Sequence, residues 1–354
     1  MTKGTVTALV GAQHGSEGKG VVARYLDKEF DIAVRTGGPN AGHSLVYEGE
    51  LYKMQSLPCG WTNPDTTLMI GIGAVLNVKT LLREIKMVKK AMPYIDERLI
   101  IDGGAGILEE RHHEEEGGID GELHKTMGST GEGVGAARRD RLVRDPERFR
   151  LARDVKELQK YVREDTAQFL NKEVRAGKRL LLEGTQGCGL SLIHGSWPHV
   201  TTADTNAAQL AADAGVPPSW VNQTILVART YPIRVAGPSG PMAKEISWEE
   251  MSARVGKEVV EKTTVTKKVR RIGEWDEPLM KQAVAINDPT YVALTFMDYL
   301  SPKDENKTEF DQLSGKAHDF IHYLERTFGV FVGLIGTGWD PAVGWVCVDR
   351  RNGN

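Results

Sequence analysis

The sequence predicts an α/β fold, a single large domain over residues 1–354 in which helices flank a mostly parallel central sheet. Two observations predict this class. Short apolar runs rich in β-branched residues alternate with longer amphipathic stretches, which is typical of buried strands covered by helices. No internal repeat or Pro/Ser-rich linker divides the chain, and its 354 residues, 40% of them hydrophobic, suffice to bury a full core.

The apolar runs, taken in chain order, give the candidate strands. They cover residues 5–10, 31–35, 67–70, 98–101, 179–183, 224–228, 291–296 and 330–335. The amphipathic stretches between them give candidate helices at residues 18–26, 78–91, 155–176, 278–287 and 309–328. The acidic run 109–116 contains adjacent histidines, which point in different directions on a helix, so a solvated charged face is expected there instead of a metal site.

Composition excludes several classes of function. The formal net charge of -3 gives no overall field that would hold nucleic acid or an anionic membrane, so neither is expected as a partner. Cys59, Cys188 and Cys347 form no CxxC pair, which speaks against a zinc site and favours buried thiols in a reducing compartment. With no apolar signal segment and no run of membrane-spanning length, we expect a soluble, cytoplasmic protein.

A glycine-rich turn, GAQHGSEGKG at residues 11–20, follows the first predicted strand and leads into the first helix. Glycines let the backbone approach an anion, the amides of a new helix point at it, and Lys19 supplies a cation. A Walker A loop has four residues before its Gly-Lys pair and then Ser or Thr for magnesium. Here six residues separate Gly11 from Gly18, and Gly20 replaces the hydroxyl residue. The segment therefore predicts a P-loop-like phosphate-binding turn of a variant kind.

This turn resembles the start of the adenylosuccinate synthetase family, whose pattern there reads G-x-Q-W-G-D-E-G-K-G. Further motifs follow in the family's order and at similar spacings. They are GGPNAGHS at 37–44, GSTG at 128–131, EGTQG at 183–187 and TVTKKVRRIG at 264–273. The resemblance implies a ligase that acts in two steps. The O6 atom of a purine nucleotide attacks the γ-phosphate of a nucleoside triphosphate, and the amine of L-aspartate then displaces that phosphate at C6.

Ser16 stands where the family has an aspartate that acts as catalytic base and magnesium ligand. The change resembles the phage branch of the family, the 2-aminoadenylosuccinate synthetases, which act on dGMP. A shorter side chain leaves space beside N1 for the 2-amino group of guanine. The expected substrates are therefore dGMP, L-aspartate and ATP or dATP, in the host cytoplasm if the chain is phage-encoded. Three alternatives stay open: GTP as donor, IMP as the purine nucleotide, and a catalytically silent nucleotide-binding protein.

The resemblance also implies a role for particular residues. The catalytic residues are Ser16, His43 and Gln186. The donor phosphates contact Ser16, Glu17, Gly18, Lys19, Gly20, Gly42, His43 and Ser44, and the donor base contacts Phe296, Asp298, Gly336, Thr337 and Gly338. The substrate nucleotide contacts Ser16, Asn40, Ser129, Thr130, Arg144, Gln186, Thr201 and Lys268. L-aspartate is held by Thr264, Thr266 and Arg270, and Mg2+ by Ser16 and the Gly42 carbonyl.

Some of these expectations depend on further details of the resemblance. Arg144 matches a family arginine that reaches the substrate phosphate from the partner subunit, which implies a homodimer with shared sites. Lys268 replaces a family arginine, and Phe296 stands at the lysine of the family's T-K-x-D segment for the donor guanine. The lost lysine would have covered a guanine base, whereas Phe296 can stack on any purine. The donor is therefore expected to be ATP or dATP, with GTP open.

Overall fold

The computed structural model describes residues 3–263, 268–340 and 343–348. Its strands, in chain order, are β1 (Val6–Gly11), β2 (Ile32–Arg35), β3 (His43–Tyr47), β4 (Glu50–Met54), β5 (Thr67–Ile70), β6 (Val75–Leu76), β7 (Leu99–Asp102), β8 (Gly106–Ile107), β9 (Val162–Arg163), β10 (Leu180–Glu183), β11 (Val221–Arg229), β12 (Ile233–Arg234), β13 (Glu245–Ile246), β14 (Arg271–Gly273), β15 (Tyr291–Thr295), β16 (Val332–Gly336) and β17 (Trp345–Cys347).

The α-helices alternate with these strands. They are α1 (Lys19–Tyr25), α2 (Val78–Ala91), α3 (Ile95–Arg98), α4 (Glu110–Glu116), α5 (Glu122–Met127), α6 (Val134–Val143), α7 (Thr166–Arg175), α8 (Ala207–Ala214), α9 (Trp248–Val255), α10 (Glu277–Asn287), α11 (Met297–Leu300) and α12 (Gly315–Phe328).

A ten-stranded sheet forms the centre, in the order β17-β16-β15-β11-β1-β10-β2-β5-β7-β9. Its neighbouring strands are parallel, apart from the antiparallel pair of β16 and β17. Strand β1 lies between β10 and β11, so the chain leaves it toward one edge of the sheet and later returns to fill both adjacent positions. Such a reversal of strand order opens a crevice at the carboxyl ends of the strands, where α/β proteins bind ligands.

The core lies on both faces of this sheet. In β1, the side chains of Val6, Ala8 and Val10 pack into one apolar cluster, whereas Leu9 packs into the cluster on the other face. Both sets are fully buried, which is the burial expected of a parallel sheet with helices on its two faces. The predicted α/β class with a mostly parallel sheet is confirmed.

The predicted strands match observed ones, but two predicted helices are wrong in part. Helix α2 has the predicted bounds, and Asn77 caps it by accepting from the Thr80 amide. The stretch 155–176 is helical only from Thr166, because Val162–Arg163 pairs instead with the edge of β7. The stretch 309–328 becomes an α-helix only at Gly315, after the cap formed by Ser314.

Two expectations about individual side chains are also wrong. The acidic run forms α4, but its His112 and Glu116 are buried, and the Glu116 carboxylate accepts from backbone amides at the start of α6. This helix is therefore a packed element and not a wholly solvated face. Of the three cysteines, Cys59 and Cys188 are buried, whereas Cys347 is exposed on the edge strand β17.

Candidate active site

The phosphate-binding turn connects β1 to α1 and is held together by Glu17. The buried Glu17 carboxylate accepts from the amides of Gly15 at 2.8 Å and Gln13 at 3.1 Å, and its other oxygen lies 2.5 Å from Lys19 Nζ. Lys19 is itself only 2% exposed. The turn thus has its cation in place, paired internally with Glu17, at the positive end of a helix where an anion binds favourably.

Gly20 is explained by its contact with His43. A Cβ atom at position 20 would lie 2.8 Å from the His43 Cβ, closer than side chains pack. The hydroxyl residue of a standard P-loop therefore cannot occur here, because the first residue of β3 occupies that space.

His43 is oriented by a buried carboxylate that the sequence did not single out for a role. Its Nδ1 lies 2.6 Å from Glu183 Oε1, and Glu183 also accepts from Arg35 at 3.0 Å and from the Cys59 amide at 2.6 Å. Burial raises the pKa of Glu183, but the hydrogen bond from His43 and the charge of Arg35 outweigh it and lower the pKa overall. The carboxylate only accepts, so Nδ1 carries the ring proton and Nε2 keeps its lone pair.

The electrostatics keep His43 neutral. Burial, followed by the charge of Arg35, lowers its pKa to about 4, although Glu183 acts in the opposite direction. The Cys59 thiol, which lies near both His43 and Glu183, has its pKa raised by burial. The hydrogen bonds of Glu183 therefore fix the imidazole of His43 in one orientation.

Two cavities meet at the phosphate-binding turn. One has a volume of about 450 Å³ and is called the donor cavity here; the other, of about 460 Å³, is called the substrate cavity. The residues common to both form the shared wall, which consists of Ser16, Lys19, Gly42, His43, Thr263 and Arg270. A group bound in one cavity can therefore meet a group bound in the other at this wall.

The donor cavity contains the residues predicted to bind a nucleoside triphosphate. Its lining includes every predicted phosphate contact, namely Ser16, Glu17, Gly18, Lys19, Gly20, Gly42, His43 and Ser44, and the predicted base contacts Phe296, Asp298, Gly336 and Gly338. Thr337 does not line it; its hydroxyl donates to the Lys307 carbonyl at 2.8 Å. Thr337 thus holds the loop behind the cavity.

The base end of the donor cavity is aromatic. The Arg229 guanidinium lies 3.8 Å from the centroid of the Phe296 ring, and Trp339 meets the ring edge-on at 6.1 Å. Burial raises the pKa of Asp298 to about 6. Arg229 also donates to the Ser16 carbonyl at 3.2 Å and is paired with Glu261. This arginine, which the motifs did not indicate, therefore connects the base end to the turn.

The substrate cavity brings together the other predicted contacts except one. Asn40, Ser129, Thr130, Gln186, Thr201 and Lys268 all line it. Arg144 does not; it is exposed at the carboxyl end of α6, beside Leu142, which is 79% exposed. Arg144 thus does not line the substrate cavity of its own chain, and its predicted action from a partner subunit stays a prediction.

The aspartate-binding prediction can be followed only at Arg270. Thr264 and Thr266 lie outside the described residues. The Arg270 guanidinium donates to the Ser16 hydroxyl and to the Lys262 carbonyl, so it spans the shared wall. Lys268 Nζ lies 2.8 Å from His124 Nε2 at the rim of the substrate cavity.

The fold and the two joined cavities define the class of this protein, an α/β protein in which two cavities adjoin at a glycine-rich turn of the kind that binds phosphate. A family model described as adenylosuccinate synthetase matches residues 8–164 and 149–307. The chain belongs to the adenylosuccinate synthetase family, and so to the C–N bond-forming ligases of purine biosynthesis that use a nucleoside triphosphate.

Archaeal adenylosuccinate synthetases are among its relatives. The enzyme of Methanococcus maripaludis is 41% identical over 337 residues, which cover 94% of this chain and 96% of the relative. The enzyme of Pyrococcus horikoshii is 38% identical over 347 residues, or 97% of this chain and 98% of the relative.

Solved structures give a matching fold. The fully ligated adenylosuccinate synthetase of Plasmodium falciparum superposes with a TM-score of 0.85 at 22% identity, over 98% of this chain and all of that one. The succinoaminodeoxyadenylate synthetase of cyanophage S-2L, bound to dGMP and to dATP as an energy donor, superposes with a TM-score of 0.82 at 29% identity, over 99% of this chain and 97% of that one. No helix in the described ranges is long and apolar enough to cross a bilayer.

Proposed function

We propose that this enzyme joins L-aspartate to C6 of dGMP, with cleavage of a nucleoside triphosphate, to give 2-amino-2'-deoxyadenylosuccinate. The observation that carries the proposal is the chemistry of the shared wall. Ser16 lies in it where a carboxylate is expected for inosinate, and none of its described members is acidic. The carboxylate nearest in sequence, that of Glu17, already pairs with Lys19 and accepts hydrogen bonds from the amides of the turn.

The choice of guanine follows from the space and hydrogen bonding that Ser16 provides. Guanine carries a 2-amino group next to N1, and hypoxanthine carries only hydrogen there. A hydroxymethyl side chain leaves room for that group and still accepts a hydrogen bond. Glu116, an acid that lines the substrate cavity, already accepts from the amides of Gly133 and Gly135, so it does not replace the missing carboxylate.

The proposed reaction keeps the two steps of the family. The O6 atom of the purine attacks the γ-phosphorus, the nucleoside diphosphate leaves, and the N1 proton passes to a phosphate oxygen. The aspartate amine then attacks C6, and inorganic phosphate leaves with O6 and takes up the proton that the amine loses. Lys19 and the amides of the turn stabilise charge on the transferring phosphoryl group, and Gln186 supports the developing negative charge on O6.

His43 serves this chemistry as a fixed group at the shared wall. Its Nδ1–H is held by Glu183, so its Nε2 faces the reacting atoms in one orientation. Mg2+ fits this wall because the Gly42 carbonyl is a hard oxygen ligand, as is the Ser16 hydroxyl once Arg270 no longer donates to it, and Mg2+ favours few protein ligands together with substrate phosphates. When bound there it would neutralise charge on the donor phosphates.

The donor cavity supports ATP or dATP as the donor. Phe296, which stands where the family has a lysine in its segment for guanine, is backed by Arg229 and offers a stacking surface that accepts any purine. Arg270 offers a forked guanidinium for an aspartate carboxylate. A homodimer, in which Arg144 of each chain completes the neighbouring site, belongs to the same proposal.

The relatives support two different purine substrates, dGMP and IMP, and a phosphate-release assay distinguishes between them. The cyanophage S-2L enzyme, which binds dGMP, supports guanylate, whereas the archaeal relatives are ordinary adenylosuccinate synthetases and support IMP with GTP. Release of inorganic phosphate is measured with L-aspartate and either dGMP or IMP, under ATP, dATP and GTP. We expect turnover with dGMP. Turnover with IMP alone would refute the proposal, and binding without turnover for every pair would indicate a silent protein.

A further inference from the structure

Two residues of the candidate active site have a strained backbone. Ser16 has φ 59° and Phe296 has φ 58°, both in the left-handed region that residues with a side chain rarely adopt. Ser16 lies in the shared wall, and Phe296 lines the base end of the donor cavity. Such conformations cost free energy and persist only where neighbouring groups fix them. The groups that hold these two residues therefore determine how the site presents them.

One side chain, that of Arg229, contacts both residues. Its guanidinium donates to the Ser16 carbonyl at 3.2 Å and lies over the Phe296 ring, 3.8 Å from the ring centroid. The side chain is fully buried and lines neither the donor cavity nor the substrate cavity. Arg229 therefore supports Ser16 and Phe296 from the protein interior.

Arg229 is itself fixed by its neighbours. The Glu261 carboxylate pairs with both terminal nitrogens of its guanidinium, at 2.5 and 3.2 Å. The Arg229 backbone exchanges two hydrogen bonds with the side-chain amide of Gln13, at 2.9 and 3.0 Å, and these join the end of β11 to the phosphate-binding turn. The next residue, Thr230, donates its hydroxyl to the Phe296 carbonyl at 2.7 Å. The end of β11 thus holds the turn and the base end of the donor cavity together.

These contacts require the shape of an arginine side chain. A planar guanidinium can stack on an aromatic ring while its edge donates in several directions, whereas the ammonium of lysine is a compact point charge. Arg229 lies over Phe296 and directs its N–H groups at Glu261 and Ser16. Resting on the proposed function for the donor base and the guanine edge, we propose that Arg229 is a positioning residue. Through one side chain it fixes the Phe296 ring for the donor base and Ser16 for the purine.

Arg229→Lys tests this role because it keeps the charge beside Glu261 and loses the planar fork. We expect the KM for the donor to rise about 5- to 30-fold, the range that corresponds to a desolvated cation–π contact. At saturating donor, kcat/KM for dGMP should fall about 10-fold or more, as expected when a hydrogen bond from a charged donor is lost. Arg98→Lys is the matched control, because Arg98 donates to three backbone carbonyls and lines neither cavity. It should lower the stability and change both kinetic parameters by less than about 2-fold.

Two double-mutant cycles distinguish positioning from a merely structural role. If Arg229 acts through Phe296, Phe296→Ala should raise the donor KM by a much smaller factor in Arg229→Lys than in the wild type. Ser16→Ala should likewise lower kcat/KM for dGMP by a smaller factor in that background. Independent effects in either cycle, where the factors simply multiply, would overturn the proposal.

A second variant covers the case in which Arg229→Lys does not fold. Glu261→Gln retains the arginine and removes the charge that holds it in place. We expect it to shift the donor KM and kcat/KM for dGMP in the same directions as Arg229→Lys, each by about 2- to 5-fold. If both parameters stay at their wild-type values, the positioning role is refuted.

The outcomes also separate this inference from the proposed function. If the wild-type enzyme turns over IMP and not dGMP, the proposed function fails and the role at the guanine edge fails with it. The donor cycle, measured with IMP, then still decides the link from Arg229 to Phe296. If the enzyme turns over dGMP but Arg229→Lys changes only one of the two parameters, this inference alone is overturned.

Discussion

Glu183→Gln tests whether the buried carboxylate behind His43 is required for catalysis. Glu183 is fully buried and accepts three hydrogen bonds, of which those from His43 and Arg35 involve ionisable groups. An amide keeps the shape but removes the charge. The NH2 group of the glutamine can donate to His43 Nδ1, which would move the ring proton to Nε2. Nε2 would then donate a hydrogen bond at the shared wall instead of accepting one.

The magnitudes follow from this geometry. Removing one charge from a buried ion pair costs about 3–5 kcal/mol, and the hydrogen bonds that glutamine retains favour the lower end. We therefore expect the free energy of unfolding to fall by about 3 kcal/mol. Loss of a correctly oriented acid–base group should also lower kcat by about 10²-fold or more, with a smaller effect on the KM values.

The assay measures phosphate release per folded enzyme together with denaturant unfolding. Asp102→Asn is the matched control, because Asp102 is also buried at the end of a strand and holds the Gly104 amide and the Thr166 hydroxyl, away from the shared wall. It should lose stability and keep kcat. A Glu183→Gln enzyme that loses stability but keeps wild-type kcat would refute the catalytic role of this carboxylate.

Three further predictions concern substitutions of Ser16, Phe296 and Asp298. Ser16→Asp should lower kcat/KM for dGMP and admit IMP; Ser16 has φ 59°, a conformation that aspartate tolerates, so an unchanged preference could not be attributed to backbone strain. Phe296→Ala should raise the KM for the donor by roughly 5- to 150-fold, the cost of about 1–3 kcal/mol for a lost base stack, and leave the KM for the purine monophosphate unchanged. Burial raises the pKa of Asp298 from the ordinary aspartate value near 4 to about 6, so its ionisation costs stability as the pH rises between these two values, and the full cost is present above about pH 6. Asp298→Asn should thus stabilise the protein against thermal unfolding by about 2–3 kcal/mol at pH 8 and have little effect at pH 4; equal effects at both would contradict this assignment.

The sequence predicts the central sheet well because its strands are buried on both faces. Runs such as Val6–Gly11 and Val332–Gly336 are buried along their whole length and, apart from Thr7, contain no polar side chain, and the strand bounds follow from that pattern. Short or exposed strands leave no such signal, so the hairpin of β3 and β4 was not predicted. The error at 155–176 has a similar cause: Val162–Arg163 takes its conformation from a neighbouring strand and not from its own periodicity.

The candidate site, like the fold, can be predicted from the sequence only in part. Motifs locate many of the residues that line the two cavities, and those at 11–20, 37–44 and 183–187 lie at the carboxyl ends of β1, β2 and β10, which meet at the crevice. They do not indicate pairings across the chain, such as Glu183 with His43 or Arg229 with Glu261, because nothing local marks which buried charges will meet.

A crystal structure of the enzyme with dGMP bound would show whether Ser16 makes room for guanine. We expect the exocyclic amine to lie in open space beside the Ser16 hydroxyl, with Arg270 withdrawn from that hydroxyl. If this space is closed, or if an acidic side chain fills it, the preference for guanine loses its physical basis.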